Sequence, residues 1–487
     1  MRLNDIAQAI LCRSNLQLSD ENIINLTSFA DDVKKGSAFF AIQGAVNDGH
    51  KFILQAESNG AKLIIYDKSK KEYIKSIIPG LELTALEIDK YNDCYFMATD
   101  NVRLALSRAA SIFWSDKPEH IVAVTGTSGK TSVAYFTNQL WGLLGNDSAY
   151  IGTLGVSCLE NKKSLTTPDI LSMHNILNQL KGKGIDYVAM EASSHGIVQH
   201  RLDNIKLAAA VFTNLGRDHL DYHHTMEEYF LSKMRLFKDL LPSDGKALVF
   251  ADDEATDRVI GCLSDREVLT IGKSGNFIRL LDKNILIIDG KKYPFDFVLQ
   301  GKFQLYNALL ALGIVISQGA NIQDAVGALV KLKPVPGRME LVGKSNKGAL
   351  CYVDYAHKPE ALKSLLLEMR NLAQNQNKVI VVFGCGGDRD RGKRPIMGKI
   401  AHNLADIVVV TDDNPRSEIP KNIRNDILQG AHNAIDIGNR SEAIKYAIDI
   451  ADFGDIVVIA GKGHETGQQI GNKIEPFSDK EEVLKYL

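Results

Sequence analysis

No two of the six cysteines (Cys12, Cys94, Cys158, Cys262, Cys351, Cys385) form a C-x-x-C pair. That spacing excludes a thiolate metal knot or a disulfide framework and fits a reducing compartment. Net charge is also in short supply. A formal value of -2 leaves no basic field for a nucleic acid partner. No apolar run approaches the ~20 residues that span a bilayer, so no membrane partner is expected. The opening "MRLNDIAQAILCRSN" has a short apolar core broken by Asp5, which argues against a signal peptide. A cytoplasmic monomer is the expectation. Internal repeats, low-complexity tracts and an H-E-x-x-H zinc signature are missing as well. What remains is 487 residues with 45% hydrophobic and 24% charged side chains. That is the balance of a soluble globular chain of several domains.

Strand-like apolar runs alternate with helical stretches, which predicts α/β domains with largely parallel sheets. Three blocks are expected, 1–97, 98–334 and 335–487. The first carries "AFFAIQG" and "AKLIIYD" as strands. The second begins with a helix through "NVRLALSRAASIFW", with its cap placed at Thr99-Asp100. "KPVPGRME" (333–340), with two prolines and a glycine, is the linker candidate. The third block holds the strands "KVIVVFG", "DIVVVTD" and "DIVVIAG". Their carboxyl ends carry glycine and polar residues, where open parallel sheets gather ligands.

"IVAVTGTSGKTS" (121–132) runs from a β-branched strand through Gly126, Thr127, Ser128 and Gly129 to Lys130, Thr131 and Ser132, then into a helix. Glycines let backbone N–H groups approach phosphate oxygens. The helix start adds partial positive charge, Lys130 can reach the terminal phosphates, and Thr131 can ligate Mg²⁺. Val124 stands where the first glycine of the usual motif would be. ATP or GTP binding is predicted. Two further strand ends carry polar residues, Glu191 in "YVAMEASSHG" and Asn214, Asp218 and His219 in "TNLGRDHLDYH", of which Glu191 and His219 are metal candidates. Hard Mg²⁺ prefers oxygen, so Glu191 ranks before His219. Lys233 lies on the amphipathic helix "YFLSKMRLF", where a lysine is ordinarily solvated.

"TGTSGKT", "MEASSHG", "TNLGRDHLDYH", "YFLSKMRLF", "PGRME", "DYAHKPE", "GGDRDRGKR", "DDNPR" and "GKGHE" occur in the order seen in the Mur ligases, and the chain resembles that family along its whole length. The resemblance implies a uridine-binding amino-terminal domain, a central P-loop ATPase with a parallel or mixed sheet, and a Rossmann-like carboxy-terminal domain. It implies ATP-dependent ligation through an acyl phosphate, with Mg²⁺ held by Thr131 and Glu191 and His219 nearby. Lys233 would carry a carbamate, which requires its neutral amine and hence a pKa lowered from ~10.4. Asn307, Arg338, Asp354 and His357 would surround the nucleotide, with Gln304 at a position where relatives carry asparagine. The acceptor would be UDP-MurNAc-L-Ala-D-Glu, met by Thr166, Thr167, Ser193, Gln199 and Arg201. Relatives read Asp-Ser-Arg where this chain has Ala30-Asp31-Asp32, so uridine recognition is expected to lean on backbone, Asn47 and Asp48.

The late stretch "VVVTDDNPRSE" (408–418) ends a strand in Asp413-Asn414-Pro415-Arg416. Read alone, it is a polar loop whose arginine faces water. Within the resemblance it selects the incoming amine. Arg416 would meet the distal carboxylate of meso-diaminopimelate that lysine lacks, with Arg389, Gly461 and Glu465 as further contacts. A folylpolyglutamate synthetase would share the ATPase but not the amino-terminal domain. A P-loop switch would give Lys233, Arg389 and the third block no role.

Overall fold

Near-continuous apolar runs, rather than strict alternation, mark strands covered on both faces, and the first sheet shows this. In the computed structural model, which describes residues 1–13, 18, 21–44, 47–78, 80–81, 83, 87–159, 165–373 and 377–487, Ser37–Phe40 is buried throughout. Ala38 and Phe40 face Leu3, Ile6 and Leu106 on one side. Phe39 and Ala41 face Ile53 and Ile74 on the other. The sheet runs Asn25–Thr27, Ser37–Phe40, Leu63–Asp67, Cys94–Thr99, Ile88–Tyr91. Its first four strands are parallel and the last is antiparallel. The helix expected at Thr99-Asp100 is instead Val102–Phe113, capped by Asn101, whose Oδ1 accepts from the Leu104 N–H at 3.0 Å. Thr99 is held extended by pairing with Asp67, so the cap falls two residues later.

The chain divides into two compact units. The first comprises Met1–Val122, Asp147–Ala208 and Arg235–Gly245; the second comprises Ala123–Asn146, Ala209–Met234 and Lys246–Leu487. Besides the sheet above, the first unit holds Tyr187–Glu191 parallel to Ser148–Gly152. In the second, Ala209–Phe212, Lys246–Phe250, Val268–Gly272 and Ile278–Asp282 run parallel, and two antiparallel strands, Ile285–Ile288 and Lys291–Pro294, follow. The helix Lys302–Ser317 is buried from Ala308 to Val315, and Gly313 lies so close to Ile271 that an added Cβ would sit 2.9 Å from its Cδ1.

The second unit also contains a six-stranded sheet, ordered Glu340–Lys344, Leu350–Asp354, Ile456–Ala460, Val379–Phe383, Ile407–Val410, Ile435–Asp436. All but the first strand are parallel. Val379, Val381 and Phe383 pack on Leu362, Leu366 and Met397, while Ile380 and Val382 pack on Ile444 and Ala447. Among the described residues no helix is long and apolar enough to cross a membrane.

A fully buried ion pair pins the end of this sheet. Arg440 Nε and Nη2 each donate to Asp479 at 2.7 Å, and Nη2 also donates to the Ala460 carbonyl at 3.0 Å. Removing one member strands the other charge in the core, so Asp479→Ala is expected to lower stability by about 3–5 kcal/mol. Urea unfolding checks this. The double variant Arg440→Met/Asp479→Leu should lose much less, because neither charge is then left alone.

Candidate active site

At two positions the loop 126–132 has backbone that favours glycine. Gly126 has φ 142° and Gly129 φ 85°. A Cβ on Gly126 would lie 1.9 Å from Thr213 Oγ1, and one on Gly129 2.7 Å from Asn307 Oδ1. The helix Lys130–Leu143 starts directly after. Thr213 Oγ1 donates to the Ser128 carbonyl at 2.6 Å, and Asn214 both donates to that carbonyl and accepts from the Ser128 N–H. The loop is therefore built from both ends.

Three lysines converge on two of its carbonyls. Lys130 Nζ donates to Gly126 O at 2.9 Å and Thr127 O at 3.0 Å. Lys233 Nζ donates to Gly126 O at 2.9 Å, and Lys358 Nζ to Thr127 O at 3.2 Å. Lys233 is 1% exposed, contrary to the solvated face its helix suggests, and its ammonium lies 4.2 Å from the Tyr229 ring centre. Burial and the like charges of Lys130 and Lys358 push its pKa well below the ordinary lysine value, with Asp218 opposing. Asp218 meets Lys358 at 2.5 Å and His219 at 2.9 Å. Burial alone would raise its carboxyl; Lys358 and His219 outweigh that and hold it far below the usual carboxylate range.

Arg338 Nη2 donates to Thr131 Oγ1 at 2.9 Å while its guanidinium covers the Tyr355 ring at 4.3 Å. Gln304 donates to the Arg338 carbonyl at 3.0 Å, so it positions the arginine backbone. Asp354 accepts from the backbone N–H groups of Met339 and Ala356 at 2.6 and 2.7 Å, and burial raises its pKa. His357 sits beside the Tyr355 carbonyl at 2.8 Å. Burial and the charges of Lys358 and Lys393 lower its pKa well below the usual histidine value. Ser132 is buried in the first turn of the helix after the loop.

In the same unit, the loop after Ile407–Val410 gathers a second set. Asp413 is buried. Asn414 Nδ2 donates to Glu465 Oε2 at 3.1 Å, and a Cβ on Gly461 would lie 3.2 Å from Asp413 Oδ2. Burial and the Asp413 charge push the Glu465 pKa up, against Lys462 and Asn414. After Pro415, Arg416 takes φ 51°. Its Nη1 donates to Gly387 O at 2.7 Å, and its backbone bridges to Ile470. It is half-buried rather than solvated. Arg389 remains exposed, 3.9 Å from Asp221.

The first unit holds the other predicted residues. Glu191 ends its strand 1% exposed. Its Oε1 accepts from the Tyr150 hydroxyl and from the Thr153 N–H, the latter at 2.8 Å. Gly152 permits this, since a Cβ there would lie 2.3 Å from that oxygen. Thr167 Oγ1 donates to the Glu191 carbonyl and accepts from the Ser193 N–H. Thr166 receives a hydrogen bond from Thr153 at 3.1 Å. Arg201 donates to Thr167 O at 2.6 Å and Gln199 Oε1 at 2.7 Å. Thr166, Thr167, Ser193, Gln199 and Arg201 thus form one hydrogen-bonded set around the end of the Glu191 strand. Asp48, an expected uridine contact, caps the short helix Gly49–Phe52. It accepts from the His50 N–H at 3.1 Å and lies 3.4 Å from Lys70. The Asn47 carbonyl accepts from the Gly44 N–H at 2.8 Å. Asp31 accepts from Gln55 at 2.7 Å.

Sequence reasoning misses Tyr150, Lys358 and Lys462. The two lysines stand inside the motifs "DYAHKPE" and "GKGHE" and could be found there. Tyr150 carries no local signal.

Three family models match the chain: Mur ligase middle domain over residues 124–315, Mur ligase, glutamate ligase domain over 337–463, and Mur ligase family, catalytic domain over 25–114. The UDP-N-acetylmuramoyl-L-alanyl-D-glutamate--2,6-diaminopimelate ligase of Mesorhizobium japonicum is 45% identical over 100% of this chain and 99% of its own. That of Brucella melitensis is 45% identical over 97% and 95%. A solved structure of a ligase with the same name superposes with TM-score 0.67 at 32% identity, covering 100% of this chain and 99% of that one. A folylpolyglutamate synthase of Mycobacterium tuberculosis, at 17% identity, TM-score 0.60 and coverage of 74% and 92%, shares the fold.

Proposed function

The chain belongs to the Mur ligase family, and on that premise we propose that it joins meso-diaminopimelate to UDP-N-acetylmuramoyl-L-alanyl-D-glutamate with cleavage of ATP, in peptidoglycan precursor synthesis. Relatives carrying that name match over nearly their whole length. The proposal divides the chain into a nucleotide-sugar domain (1–97), an ATPase domain (98–334) and an amine-binding domain (335–487), in a cytoplasmic monomer.

The observation that carries the reading is the convergence of Lys130, Lys233 and Lys358 on the Gly126 and Thr127 carbonyls. A carboxylate is a poor electrophile until one oxygen becomes a good leaving group. Transfer of the γ-phosphoryl group makes it an acyl phosphate, and this step brings two anions together. Lys130 and Lys358 supply fixed positive charge where that charge develops. The amine then attacks the acyl carbon and phosphate departs with the C–O bond. Thr131 offers the hard oxygen that Mg²⁺ takes, as does the buried carboxylate of Glu191, and His219 beside Asp218 is a further donor. Bound Mg²⁺ would screen the phosphate charge from the attacking oxygen. Lys233 fits carbamylation because its neutral amine is favoured, and the carbamate would add an oxygen donor. Thr166, Thr167, Ser193, Gln199 and Arg201 would orient the dipeptide, and Asn307, Arg338, Asp354 and His357 the nucleotide.

Phosphate release with UDP-MurNAc-L-Ala-D-Glu present tests the reading. It should rise with meso-diaminopimelate and hardly with lysine. Release indifferent to any acceptor would mark a nucleotide switch instead.

A further inference from the structure

Lys462 follows the strand Ile456–Ala460 and is fully buried. Its ammonium lies among four oxygens: Gly467 O at 2.8 Å, Asn414 Oδ1 at 2.9 Å, Glu465 Oε2 at 3.3 Å and Asp413 Oδ1 at 3.4 Å. Three segments supply them: the Asp413-to-Arg416 loop, the loop after residue 460, and the hairpin of Gly467–Ile470 with Lys473–Pro476.

The hairpin is tied to the first loop by its own bonds. The Gln469 N–H donates to Asn414 Oδ1 at 2.8 Å, Gln468 Nε2 to Asp413 O at 2.6 Å, and the Gly471 N–H to Arg416 O at 2.8 Å. The Arg416 N–H donates back to Gln469 O at 3.1 Å. Lys462 therefore stands at the joint of the segments that carry Asn414, Arg416 and Glu465.

A buried ammonium is tolerated only with compensating anions, and here Asp413 and Glu465 provide them. Two carboxylates against one ammonium leave the cluster a single negative charge, and the loop that carries Asp413 also carries Arg416, whose Nη1 lies on Gly387 O. That pairing suits an amino-acid end bearing both an ammonium and a carboxylate. Without Lys462 the cluster would be doubly negative and would attract a bare ammonium as readily as a zwitterion. We propose that Lys462 is a specificity-determining positioning residue, which fixes Asn414 and Glu465 and limits the acidity of the amine site so that it prefers a zwitterionic end over a lone cation. This rests on the reading of residues 413–416 and 465 as that site.

The test is steady-state kinetics of the full chain with Lys462→Met, varying meso-diaminopimelate, L-lysine, ATP and the nucleotide dipeptide in turn. KM for meso-diaminopimelate should rise at least about tenfold, and its kcat/KM advantage over lysine should fall by a similar factor. KM for ATP and the nucleotide dipeptide should stay within about twofold. Lys462→Met/Asp413→Asn restores the net charge and should regain part of the discrimination. It also removes one of the two acids that Lys462→Met strands, so it remains measurable if the single variant does not fold. Equal changes in all four KM values, an unchanged amine preference, or a double variant that regains no discrimination would overturn the inference. A wild-type chain that used lysine and meso-diaminopimelate alike would overturn the proposed function along with it; a selective wild type with a silent Lys462→Met overturns the inference alone.

Discussion

Lys233→Ala is expected to lower ligation by about 10²–10³-fold, the loss typical of removing one preorganised group that stabilises developing charge. Millimolar formate or acetate should restore part of it. The cause is crowding. Lys233 and Lys130 both donate to the Gly126 carbonyl, and Lys358 reaches the next one. Three full positive charges so close in a buried site repel strongly, with Asp218 opposing. The repulsion is relieved if Lys233 is neutral, and relieved further if its amine has reacted with carbon dioxide and become an anion. Asp218 and a carbamate would then balance Lys130 and Lys358. A small carboxylate can enter the space that alanine leaves and supply the same charge. Lys233→Arg keeps a cation, fills the space, and should be inactive with no rescue. Rates are to be measured with and without added carboxylate. Full activity in the alanine variant, or a loss no carboxylate relieves while ATP still binds, would rule out a role for the carbamate.

Features set by neighbours in sequence are legible there, and those set by distant partners are not. "VIVVF" and "IVVIA" announce strands buried on both faces because no polar residue interrupts them, and both are central in their sheet. The glycine loop 126–132 is equally readable, since Gly126 and Gly129 adopt backbone angles that other residues avoid. Glu191 can be placed at a strand end, but not the Tyr150 hydroxyl that holds it from 41 residues away. Lys358 reaches the Thr127 carbonyl across 231 positions, a contact no local window contains. Helix periodicity puts Lys233 on a solvent face because it cannot register what packs there; in the fold, the loop and Tyr229 do. Asp48 is engaged by His50, two residues on and within a local window, and by Lys70, which lies outside one. Short polar side chains at turns satisfy their own backbone first.

Arg416→Ala is expected to raise KM for meso-diaminopimelate about ten- to hundredfold, the value of a charge-assisted, bidentate contact worth roughly 1.5–3 kcal/mol. KM for ATP should hardly move. The geometry gives the reason for separating the two. Arg416 is held in a left-handed conformation at φ 51°, with its N–H on Gln469 O and its carbonyl accepting from Gly471. Its Nη1 is directed to Gly387 O. The guanidinium is thus oriented before any substrate arrives, and little side-chain entropy is left to lose. Alanine keeps the backbone contacts and removes only the fork, so the loop should survive and the nucleotide site be undisturbed. Lysine has no distal carboxylate, so its own KM should be nearly unchanged and the preference for meso-diaminopimelate should collapse. Arg416→Lys separates charge from shape: an ammonium retains attraction but not the two parallel N–H bonds, which predicts an intermediate KM. Steady-state constants for both amines and for ATP supply the readout. A parallel rise in the KM of ATP would mean that the substitution had disturbed the domain rather than the contact, and selection of the amine would have to come from elsewhere in the loop.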